Sequence, residues 1–244
     1  MHSKSFIKIS LLASSVLVTL IACDKASMPR ADEITDLTNK AKVQIFNATT
    51  SSPGNLVTIN GLTVNNTAAV TYGNGYPATA FFLTDPGLSE FSIRPSSGTA
   101  QPVLNFPNSL KPGVFYSIFT YDTVNAIRQL TIESAVEIPS DTTSRLRFAN
   151  FMYSKVGMPN VDIYSNRNKA VIFSNVASTQ VTPFIPYASK LLDTLVVRQA
   201  GTTTVLFQLN SVSFTPQRVY TAVLRGSYVT PTTTPRTLSV LTNL

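Results

Sequence analysis

Apolar and polar residues alternate in short runs from about residue 41 onward. Leu146 and Phe148 alternate with Arg145 and Arg147, Val161 and Ile163 with Asp162 and Tyr164, and Leu130 and Ile132 flank Thr131. A period of two predicts strands with one face on a core and the other in water. Asn60-Gly61, between Val57-Thr58-Ile59 and Leu62-Thr63-Val64, predicts a tight hairpin, because both central positions need positive φ. Lys111-Pro112-Gly113 predicts another turn. After residue 40 no segment carries a helical stripe.

The pattern repeats with a period of about 104 residues. Lys42-Val43-Gln44-Ile45-Phe46-Asn47 aligns with Arg145-Leu146-Arg147-Phe148-Ala149-Asn150, and Phe91-Ser92-Ile93-Arg94 with Leu195-Val196-Val197-Arg198. Gly98 aligns with Gly201, Pro112 with Pro216, and Tyr116 with Tyr220. The alignment predicts an all-β chain of two tandem β-sandwich, immunoglobulin-like domains, at residues 41–138 and 144–244.

The N-terminus follows a different pattern. Lys4 and Lys8 precede a mostly apolar run from Ile9 to Ile21. That run is shorter than the roughly 20 residues a membrane span needs, and it suits the apolar region of a signal peptide. It ends in Leu20-Ile21-Ala22-Cys23, which resembles the lipobox of bacterial lipoproteins. The resemblance implies cleavage of residues 1–22 and lipidation of Cys23. An ordinary signal peptide or an uncleaved anchor helix are the alternatives, but Cys23 is the only cysteine in the chain. Residues 23–40 carry charges, Pro29 and few apolar side chains, as a flexible tether does. The expected location is the cell envelope, lipid-anchored in the outer membrane, on its periplasmic or surface face.

Composition narrows the chemistry. The only histidine is His2, within the segment to be removed, and there is no tryptophan. Histidine-dependent catalysis and zinc sites built on His or Cys are therefore not expected, and no cofactor or metal is implied. The net charge of +7 is scattered, without a basic run or nucleic-acid motif, so no nucleic-acid partner is expected. Two carboxylates could still act as an acid/base pair. The candidates are Asp85, Glu90, Asp122, Glu133, Glu137, Asp141, Asp162 and Asp193. Most fall in turns or at outward strand positions, Asp162 and Glu133 among them, where solvation is the simpler reading.

One loop, Thr71-Tyr72-Gly73-Asn74-Gly75-Tyr76-Pro77, is a candidate ligand or partner loop. Tyr72 and Tyr76 each offer a flat apolar body with a polar tip, suited to a sugar face or a protein partner. Packing against the sandwich edge is the simpler alternative. The second repeat has Ser178-Thr179-Gln180 there.

The second repeat resembles the domain-of-unknown-function family 4397. Arg145-Leu146-Arg147-Phe148-Ala149-Asn150, Val161-Asp162-Ile163-Tyr164, Val197-Arg198-Gln199-Ala200-Gly201-Thr202-Thr203 and Tyr220-Thr221-Ala222-Val223-Leu224 carry the resemblance. The first repeat is similar more weakly, with Thr58 where the second has Asp162. The resemblance implies a bacterial envelope domain, often in tandem on lipoproteins, and brings no catalytic or binding residues. The expectation is a non-catalytic envelope lipoprotein serving structure, assembly or adhesion, with the membrane and an envelope protein or glycan as partners. A surface lipoprotein that captures glycans or other ligands for nutrient uptake is the alternative.

Overall fold

A computed structural model describes residues 37–65, 68–97, 103–229 and 234–244. Cys23, the signal peptide and nearly all of the tether lie outside the described residues, as does Gly98. The rest is all-β, with a single 3-10 turn at Val124–Ala126 among the described residues.

The first repeat contains β1 (Ala41–Asn47), β2 (Asn55–Ile59), β3 (Leu62–Thr63), β4 (Gly75–Tyr76), β5 (Phe82–Thr84), β6 (Gly87–Pro95), β7 (Leu104–Leu110), β8 (Phe115–Tyr121) and β9 (Arg128–Ser134). The second contains β10 (Ser144–Tyr153), β11 (Val161–Ser165), β12 (Ala170–Val176), β13 (Ile185–Tyr187), β14 (Asp193–Gln199), β15 (Val205–Val212), β16 (Val219–Ser227) and β17 (Thr237–Thr242).

Each repeat makes two sheets packed face to face. The sheet β4-β1-β8-β9, with β5 also on β1, lies on β3-β2-β6-β7. The sheet β13-β10-β16-β17 lies on β12-β11-β14-β15. In both repeats the first strand runs parallel to the penultimate one, with Val43 beside Tyr116 and Leu146 beside Tyr220.

Alternation explains the two cores. Ala41, Val43 and Ile45 meet Val57, Ile59, Phe91, Ile93, Phe106, Tyr116 and Ile118. Leu146 and Phe148 meet Val161, Ile163, Leu195, Val197, Ala222 and Leu224. The Asn60-Gly61 hairpin forms as the sequence requires: φ is +48° and +83°, and Ile59 pairs with Leu62.

Polar details recur with the strands. Lys111 N donates to Tyr116 Oη at 2.8 Å, and Thr215 N to Tyr220 Oη at 3.1 Å. This is the hydrogen bonding of a tyrosine corner, a feature of immunoglobulin-like sandwiches. Buried Asn47 accepts from Thr49 N and donates to Val70 O. Its counterpart Asn150 accepts from Met152 N and donates to Val176 O.

The strand faces expected in water correct the sequence reading. Gln44 and Arg147 are buried, at 1% and 3% exposure. The outer faces of β1-β8-β9 and β10-β16-β17 close on one another around Phe46, Phe119, Phe151, Val223 and Leu241. The result is four stacked sheets with three buried layers. A period of two shows which residues share a face, and here a second sheet takes the place of water.

Candidate functional site

The junction between the repeats is the most elaborate polar feature of the fold. Gln44 and Arg147 hold the same place on β1 and β10, and each reaches into the other repeat. Arg147 donates through Nη1 to Ser134 Oγ at 2.9 Å and through Nη2 to Ser117 Oγ at 2.8 Å, both in the first repeat. Its Nε donates to Thr221 Oγ1 at 2.9 Å. Gln44 donates to Thr242 O at 2.9 Å and accepts from Asn243 Nδ2 at 2.8 Å, both in the second repeat. Thr221 Oγ1 donates to Asn243 Oδ1 at 2.7 Å and links the two groups.

Arg147 has no carboxylate partner among the described residues. Burial pushes its pKa down to about 9, so it stays charged at neutral pH. Hydroxyl oxygens and the Phe184 ring, 4.5 Å from the guanidinium carbon, replace the water it has lost.

The candidate loop lies against this junction. Tyr72 is half-buried, and Arg225 of the second repeat lies over its ring at 4.2 Å. Gly73 has φ +85°, and a Cβ there would come within 2.2 Å of Arg225 Nη2. A Cβ at Gly75 would come within 2.4 Å of Leu241 Cδ1. The two glycines therefore let the loop press onto the second repeat. Tyr76 is half-buried and donates through its hydroxyl to Val64 O at 2.6 Å, with its ring 6.1 Å from Phe82. Both tyrosines direct their rings into internal contacts.

Most of the candidate carboxylates have structural partners of their own. Asp85 pairs with Lys40 at 2.5 Å, Glu133 with Lys111 at 2.6 Å, and Asp122 with Arg128 at 3.4 Å. Asp141 accepts from Thr143 Oγ1 and N, which hold its carboxyl below the usual range, with Arg145 adding to the effect. Glu90 and Glu137 are exposed.

Asp162 and Asp193 depart from the expected solvated state. Asp162 is buried and accepts from Asn175 N at 2.7 Å and Gly201 N at 2.9 Å, joining the irregular end of β12 to the turn after β14. Asp193 is buried and accepts from Ser165 Oγ at 2.5 Å, Arg167 N at 2.8 Å, Thr194 N at 2.7 Å and Tyr187 Oη. Burial alone would raise its pKa, but these donors outweigh it and the net shift is downward. Burial, then the bond to Asp193, pushes Tyr187 up to about 12. No group of three or more His, Cys, Asp or Glu that could hold a metal ion occurs among the described residues.

A cleft of about 160 Å³ opens elsewhere on the junction. Tyr121, Phe151, Met152 and Met158 line it, with Asp122 and Arg128 supplying charge. No single residue in the sequence marks it. The signal was the repeat alignment, which places Ser178 opposite Tyr72.

No protein-family model matches the chain, and no curated protein matches it.

Proposed function

We propose that the chain is a lipid-anchored, non-catalytic component of a bacterial cell envelope, acting as a structural, assembly or adhesion module built from two repeats of the family 4397 type. The observation that carries this reading is Leu20-Ile21-Ala22-Cys23, with the only cysteine of the chain where a lipobox needs it. Acyl chains contribute about 0.8 kcal/mol per buried methylene, so the three chains of a mature lipoprotein hold it on a membrane without a protein span.

The junction supports a mechanical role, since a shared buried layer keeps two modules at fixed spacing. The engaged rings of Tyr72 and Tyr76 weigh against glycan capture through their loop. The structural partners of most carboxylates, Asp162 and Asp193 included, favour a non-catalytic reading.

Membrane fractionation and proteinase shaving of intact cells test the proposal, with Cys23→Ala as control. The wild type is expected in the outer-membrane fraction and the Cys23→Ala protein in the soluble one. Shaving of intact cells would favour adhesion, and protection until the outer barrier is opened would favour assembly within the envelope. Equal membrane retention of both proteins would overturn the anchor.

A further inference from the structure

The two halves of the junction are built alike, yet one is filled where the other is open. Thr71 to Asn74 and Ala177 to Gln180 make the same turn. Asn74 N donates to Thr71 O at 3.1 Å, and Gln180 N to Ala177 O at 3.2 Å. The third residue is left-handed in both, Gly73 at φ +85° and Thr179 at φ +62°. Each turn clasps the equivalent asparagine. Gly73 N donates to Asn47 O and Asn47 N to Asn74 O, as Thr179 N does to Asn150 O and Asn150 N to Gln180 O. Tyr72 and Ser178 are therefore structural equivalents. So are Arg225 and Tyr121, since Asn150 pairs with Leu224 and Asn47 with Thr120.

In one half the Tyr72 ring lies under Arg225. In the other, Ser178 brings no ring to Tyr121, and the cleft of about 160 Å³ occupies that side of the junction. We propose that this cleft is a binding site for a small planar aromatic molecule of phenol size, seated where a ring at position 178 would lie.

The walls suit such a ring. Tyr121 and Phe151 both line the cleft with ring centroids 5.4 Å apart, and Phe119 backs Phe151 from the core at 4.8 Å. Met152 and Met158 add thioethers, which make favourable contacts with ring edges. The volume is of the size that takes up benzene in an engineered enclosed cavity of about 150 Å³, and here the cleft opens to solvent on the side of Asp122 and Arg128. Arg128 is 68% exposed and ion-paired with Asp122 at 3.4 Å; by giving up that exposed pair for the ring face it can cover a bound ring, as Arg225 covers Tyr72. The Asp122 carboxylate can accept a phenolic hydroxyl. This site is distinct from the Tyr72 and Tyr76 loop, and the proposal does not depend on the lipid anchor.

The full chain, carrying isotope-labelled methionine methyls, is titrated with p-cresol and separately with cyclohexanol, and followed by NMR. The Met152 and Met158 signals are expected to shift saturably with p-cresol, and much less with the non-planar alcohol. Ser178→Tyr installs the missing ring and is expected to weaken p-cresol binding by about tenfold or more; Ser178→Ala should retain it. Signals that ignore p-cresol at millimolar concentration, or follow both compounds alike, would overturn the site. So would undiminished binding in a folded Ser178→Tyr protein. Should that variant fail to fold, the two wild-type titrations decide.

Discussion

Arg147 and Gln44 occupy the same position in the two repeats and reach in opposite directions, each ending on the partner repeat's polar atoms. The pair makes the junction reciprocal, and its two members have unequal energetics. Gln44 is neutral and exchanges amide hydrogen bonds. Arg147 brings a charge into a buried layer and holds it with hydroxyls and the Phe184 ring, without a carboxylate among the described residues.

That arrangement predicts unequal effects from two variants. Arg147→Met keeps the length and removes the charge. Ser117 Oγ and Ser134 Oγ already lie 3.1 Å apart and can bond one another once the guanidinium is gone. The cost should stay within about 1 kcal/mol, since replacing a buried charge by an apolar side chain is often neutral or stabilising. Ser117→Ala with Ser134→Ala leaves the charge buried with two N–H groups unpaired, at a cost of about 3 kcal/mol or more. Urea denaturation of the three proteins compares the two effects. A larger loss in Arg147→Met would refute the account.

Gly73 is a second pressure point. Its φ of +85° disfavours any side chain, and a Cβ would meet the Arg225 guanidinium. Gly73→Ala should cost about 2 kcal/mol or more, part from backbone strain and part from the clash. Arg225→Ala removes the clash alone. A double-mutant cycle should therefore give a coupling of about 0.5–3 kcal/mol, with Gly73→Ala milder in the Arg225→Ala background. Strict additivity would mean that the loop does not press on the second repeat.

The strands were readable because their cause is local. Leu146 and Phe148 point to a core for any strand of that pattern, and Asn60-Gly61 demands its turn whatever surrounds it. What covers the other face is a long-range matter. Arg147 looks like a solvated residue in its own strand, and only the first repeat's Ser117 and Ser134 make it an interior one. Asp162 shows the same limit, since its donors come from Asn175 and Gly201, far along the chain. The cleft is legible only by difference, from a tyrosine present in one repeat and absent at Ser178.

Tyr116 and Tyr220 offer a test of the repeat itself. Each hydroxyl accepts the backbone N–H five residues upstream, Lys111 in one case and Thr215 in the other. Tyr116→Phe and Tyr220→Phe should each cost about 1–2 kcal/mol by leaving that N–H without its partner. The effects should be similar in size and additive in the double variant, because the two corners lie in separate cores. Thermal and urea unfolding would reveal a non-equivalent pair as a large difference between the two losses.

Asp193 should govern part of the acid sensitivity. Its carboxyl accepts from Ser165, Tyr187 and the Arg167 and Thr194 amides, and its pKa lies below the ordinary 3.8. A carboxyl depressed in the fold contributes stability that is fully present above the unfolded value. That contribution fades as pH falls through the folded one. Asp193→Asn offers an amide where Ser165 and Tyr187 need an acceptor, and should cost about 1–3 kcal/mol at neutral pH. The gap between wild type and variant should narrow only as pH drops through and below 3.8, the wild type losing its advantage as Asp193 takes up a proton. Urea midpoints of both proteins across an acid series measure the gap. A constant gap down to the acid limit would show that the charge of Asp193 does not stabilise the second repeat.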